Sequence, residues 1–75
     1  MEKKIYKNIV VNPDVMVGKP VIEGTRIPVD LIITLLAQGV SIEDIIEDYD
    51  LKKQDVKTIL EYAAKVVQGE SVFSI

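Results

Sequence analysis

Along the second half of the chain apolar side chains recur every three to four residues, whereas the first third carries them in short β-branched runs. From Pro28 to about Gln38 the polar residues Asp30, Thr34 and Gln38 stand four apart in one narrow stripe. Leu31, Ile32, Ile33, Leu35, Leu36 and Ala37 fill the remaining surface. This predicts a helix buried on most sides, opened by Pro28, whose missing N–H costs nothing in a first turn, and stopped at Gly39. A second helix starts after Ser41, a capping hydroxyl with Asp44 three residues on. Its apolar face is Ile42, Ile45, Ile46 and Tyr49, opposite Glu43, Asp44, Glu47 and Asp48. After the tight connection Asp50-Leu51-Lys52, a third helix runs from about Lys53 to Gln68. Val56, Ile59, Leu60, Ala63 and Val67 point inward, and Gly69 ends it. Ile59, Tyr62 and Val66 form a second stripe beside the first, either the flank of a wide core or a contact surface for another molecule.

The N-terminal third reads as a β-arm. Lys3 to Val11 is a short strand ended by the turn residues Asn12-Pro13-Asp14, and Val15 to Ile22 is a short edge strand because Gly18 and Pro20 punctuate it. Glu23-Gly24-Thr25 reverses the chain, with Gly24 free to take positive φ, and Arg26-Ile27 returns as a brief second arm. The expected organisation is one domain: a β-arm and turn over 1–27, a three-helix core over 28–68 and a tail over 69–75. Val72, Phe73 and Ile75 make that tail apolar without the length of a helix, so it docks either on its own domain or on a partner.

Composition narrows the chemistry. The 75 residues include no histidine, cysteine or tryptophan, so Ser-His and Cys-His nucleophiles and imidazole or thiolate metal sites have no members to build them. The carboxylates of the second helix could attract a hard cation, but a metal cage needs ligands from several elements, and a solvated acidic face is the simpler reading. We therefore expect no enzyme activity, no catalytic residue, no metal, no cofactor and no small-molecule substrate. An 8.4 kDa chain with a mean hydropathy of +0.22 is short for a self-sufficient core, which points to a homodimer or a dedicated partner. No signal-like start and no apolar stretch near the ~20 residues of a membrane span are present, so a cytoplasmic protein without membrane contact is expected. Charge is uneven. Residues 1–29 carry five cations against three carboxylates, and residues 30–75 carry four against nine.

The second and third helices with their tight connection make a helix-turn-helix candidate, with Lys52, Lys53, Gln54, Lys57 and Thr58 at the outward start of a recognition helix. The lysines would meet phosphates and Gln54 a base edge of operator DNA, with Arg26 adding to a basic surface from the arm. Against this, the acidic second helix would be repelled by the DNA backbone, and Arg26 is as simply a partner for Asp30 or for a carboxylate of the second helix. Val66, Tyr62 and the tail are the candidate partner-binding residues.

The run Gly18-Lys19-Pro20-Val21-Ile22-Glu23-Gly24-Thr25-Arg26-Ile27-Pro28-Val29 closely resembles the signature of a family of small prokaryotic proteins, the domain of unknown function 433 family. The likeness continues through Leu35-Leu36-Ala37 with Gly39, Ser41-Ile42-Glu43-Asp44-Ile45, Asp55-Val56 to Leu60, and Tyr62-Ala63-Ala64, covering nearly all of Asn12 to Ala64. The resemblance implies a mainly α fold, a three-helix homeodomain-like or winged helix-turn-helix domain with a short N-terminal β-hairpin. It also implies a VapB-like type II antitoxin partnered with a PIN-like ribonuclease toxin. The leading expectation is a homodimer that neutralises such a toxin, with binding of its own promoter DNA as an optional second role. A small homodimeric scaffold or adaptor that never touches DNA is the rival reading. Where the family has Thr-Pro before the third helix, this chain has Lys52-Lys53. That forfeits a cap oxygen worth about 1 kcal/mol and places positive charge at the unfavourable end of the helix dipole.

Overall fold

A computed structural model of the chain describes residues 1–69. Three strands, β1 (Lys3–Tyr6), β2 (Ile9–Val11) and β3 (Val21–Ile22), precede three helices, α1 (Val29–Ala37), α2 (Ile42–Tyr49) and α3 (Lys53–Val67). The strands form one antiparallel sheet in the order β1-β2-β3. The fold is therefore α+β. The N-terminal hairpin exists, but it belongs to a three-stranded sheet that supplies part of the core, which overturns the expectation of a mainly α, three-helix homeodomain-like or winged helix-turn-helix domain.

The difference arises inside Lys3–Val11, expected as one strand. Lys7 takes φ 48° and the chain reverses at Lys7-Asn8, pairing Tyr6 with Ile9 and Lys3 with Val11. The segment expected as a strand from Val15 to Ile22 divides likewise. Met16–Gly18 is a single 3-10 turn, and only Val21–Ile22 joins the sheet, pairing with Val10 and Ile9. The 3-10 turn is left-handed throughout, with φ 51° at Met16, 56° at Val17 and 77° at Gly18. Lys19 anchors its exit to the first turn of α1 through Asp30, at 3.2 Å.

The segment after β3 folds as its residues dictate. Gly24 takes φ 80°, Thr25 N–H and Oγ1 both donate to the Ile22 carbonyl, and Thr25 Oγ1 accepts from Ile27 N–H. Ile22 N–H then donates to Ile27 O and Val29 N–H to Pro20 O, closing a small second hairpin that delivers Pro28 to the N-cap of α1. Each residue of Gly24-Thr25-Arg26-Ile27-Pro28 except Arg26 thus has a local structural task.

Ile5, Ile9 and Ile22 from the sheet meet Val29 and Ile32 of α1, Ile45 of α2, Leu51 of the connection, and Val56, Ile59 and Tyr62 of α3 in one core. The inward face of α3 is rotated from the expected one: Leu60 remains 45% exposed and Val67 87%, while Thr58 is buried at 2%. Within the second stripe, Ile59 and Tyr62 belong to the core and Val66 is exposed, so the wide core explains two of its three members. No helix among the described residues is long and apolar enough to cross a membrane.

Candidate functional site

The start of α3 is held by one carboxylate. Asp55 Oδ2 accepts from the Lys52 backbone N–H at 2.9 Å, and its Oδ1 accepts from the Asn8 side-chain amide at 2.9 Å. Lysine has no acceptor to cap with, so the cap expected to be missing at Lys52-Lys53 is half replaced from within the helix. The same carboxylate ties the β1–β2 turn to α3. Asp50 in the left-handed region ends α2, and buried Leu51 fixes the connection between the two helices. At the other end of α2, Asp44 N–H donates to Ser41 Oγ at 3.1 Å, the expected cap.

These anchors leave an open groove of about 400 Å³ between α2 and α3, lined by Ile42, Val56 and Leu60 with Lys53, Gln54 and Lys57 around them. Its walls are mostly hydrocarbon and its charged groups are cationic. Of the residues expected at the outward start of α3, Lys52, Lys53, Gln54 and Lys57 are exposed. Thr58 is not among them: it is turned into the core and its Oγ1 accepts from the Gln54 side chain at 3.4 Å, so it is no surface contact. Among the described residues, no ion pair within 4 Å involves Lys52, Lys53 or Lys57, and none involves the exposed Glu43, Asp44, Glu47 or Asp48 of α2.

Arg26 is exposed in its turn and forms no ion pair within 4 Å among the described residues, neither with Asp30, which pairs with Lys19, nor with a carboxylate of α2. Tyr62, expected at a partner surface, is instead a core residue, its ring centroid 6.2 Å from that of Tyr6. Val66 is 47% exposed and stands with Val67 on the last turn of α3. Val72, Phe73 and Ile75 lie outside the described residues.

A second surface of α3 is used internally. Glu61 Oε1 accepts from Lys7 Nζ at 2.7 Å and from Tyr6 Oη at 3.2 Å, fastening the hairpin to the helix. The hydrogen bond to Lys7 is the main cause that holds the Glu61 carboxyl below its ordinary value, and the same bond raises Lys7. Burial pushes the Tyr62 phenol up. These shifts are those of a surface pair and a core tyrosine, and no acid–base pair converges on the groove. No group of three histidine, cysteine or carboxylate residues among the described residues could hold a metal.

The lysines are legible in the sequence and the groove is not, because Leu60 and Ile42 read as inward positions on their helices but line the groove. The available signal was the spacing Lys53, Lys57, Leu60, Ala64, Val67, which places Leu60 with the exposed lysines rather than with Val56 and Ile59. A family model described as a protein of unknown function (DUF433) matches residues 9–63, from β2 through most of α3. No curated protein and no solved structure matches the chain.

Proposed function

Since the chain belongs to the DUF433 family of proteins of unknown function, we propose that it is a cytoplasmic, homodimeric type II antitoxin that neutralises a PIN-like ribonuclease by protein–protein binding. The observation that carries this reading is the last turn of α3, where Val67 is 87% and Val66 47% exposed. A helix end that presents two adjacent valines to water is suited to burial against another protein. It also lies beyond residue 63, where the family match ends. Neutralisation is by occlusion: the apolar end of α3 and the residues after Gly69 cover the nuclease and keep RNA from its acidic site.

Operator DNA is left out of the reading. The exposed lysines of α3 adjoin four exposed carboxylates on α2, and like charge there opposes the approach of a phosphate backbone. An affinity for upstream DNA that falls steeply between two salt concentrations would reverse that judgement.

Co-expression with the product of the neighbouring gene, expected on this reading to be a PIN-like ribonuclease, tests the reading. A complex that co-purifies, and that is weakened by Val67→Asp and by truncation after Gln68, is the expected result. Absence of any complex, or one unaffected by both changes, leaves the rival of a small scaffold.

A further inference from the structure

Both carboxylates of α3 are engaged within the chain. Asp55 accepts from the Lys52 N–H and the Asn8 amide, and Glu61 accepts from Lys7 and Tyr6. Lys53 and Lys57, one turn apart, are exposed and form no ion pair within 4 Å among the described residues. Both line the α2–α3 groove, whose hydrocarbon comes from half-buried Ile42, buried Val56 and Leu60. Lysines at this end of α3 face the positive pole of the helix dipole, an arrangement that an anion from outside relieves. The charged lining of the groove is cationic only, because the carboxylates of α2 are not part of it. Such a lining is complementary to apolar side chains accompanied by negative charge.

We infer that the α2–α3 groove docks an acidic amphipathic helix of another protein. The apolar stripe of that helix covers Ile42, Val56 and Leu60, and carboxylates beside the stripe face Lys53 and Lys57. Walls made of two helices offer no row of unpaired N–H and C=O groups to an added strand, so the occupant satisfies its own backbone, as a helix does. A free anion would leave the hydrocarbon wet, and a neutral apolar segment would leave the lysines unanswered. The surface is distinct from the valine end of α3, since Val67 lies roughly 15 Å beyond Lys57 along the helix axis. It stands independently of the antitoxin reading.

Two synthetic amphipathic peptides test it. They share leucines at i, i+4 and i+7 and differ only in carrying glutamate or lysine beside that stripe. Amide chemical shifts of the full chain locate binding, and fluorescence anisotropy measures it. The glutamate peptide is expected to shift the amides of Ile42, Val56 and Leu60 and to bind about ten-fold or more tightly than the lysine peptide. In K53E/K57E the preference should invert, and Leu60→Asp should weaken binding of the glutamate peptide about ten-fold; all three positions are exposed, so the fold should persist, which far-ultraviolet circular dichroism checks. Equal affinity for the two peptides, a preference that does not invert, shifts centred on Val66 and Val67, or no binding of either peptide at millimolar concentration would each overturn the proposal. Groove amides that move, without peptide, on truncation after Gly69 would assign the groove to residues 70–75 instead. Groove amides that move with protein concentration would assign it to a second copy. Either result likewise overturns the acidic partner.

Discussion

Val17 carries a β-branched side chain at φ 56° and is 95% exposed, so it bears left-handed strain with almost no packing in return. Asparagine tolerates that conformation, and Val17→Asn is expected to raise stability by about 1 kcal/mol in a denaturant melt. Gly24 is the opposite case. A Cβ there would meet nothing within 4 Å, so Gly24→Ala should lose only the strain of φ 80°, about 1 kcal/mol. The Lys7–Glu61 pair sets a pH window. Glu61 is lowered from 4.5, so its contribution is present above that value and lost as pH falls through the folded one. Lys7 is raised from 10.5, so its contribution is present below that value and lost as pH rises through the folded one. In Lys7→Met, the Glu61 carboxyl should titrate closer to 4.5, which carbon-detected NMR can follow. Gly24, Pro28 and Ser41 were legible because a turn or cap rule acts over two or three residues. Lys7, Asp55 and Thr58 were not, because their partners lie on other elements or depend on how α3 is rotated in the core.

At the scale of elements the helices were legible and the sheet was not. α1, α2 and α3 lie within about a residue of their expected limits, because period, cap and stop agree at each end. The strands are four, three and two residues long, too short to show alternation, and their first turn is Lys7-Asn8 rather than a glycine-bearing pair. Their pairing is nevertheless integral to the core, where Ile9 is as fully buried as Ile59. In a mainly helical domain with an accessory arm, Ile9→Ala would cost little. Here Ile9→Ala and Ile59→Ala should each cost about 2–5 kcal/mol in equilibrium unfolding. Asp55→Ala, which releases both the α3 start and the β1–β2 turn, should cost about 1–3 kcal/mol.

For the whole molecule, the apolar excess of a 75-residue chain reappears as two specific places, the α2–α3 groove and the valine end of α3. The sequence announced the excess and the lysines but could not locate the groove, since that depends on which side of α3 faces the sheet. The acidic balance of residues 30–75 likewise becomes spatial, concentrated on α2 beside a basic helix start. For the proposed function, the decisive measurement is RNA cleavage by a candidate PIN-like ribonuclease partner during titration with this chain. The account predicts cleavage extinguished near stoichiometric addition of the parent, with Val67→Asp needing about ten-fold more. Undiminished cleavage in a large excess of folded parent would contradict it.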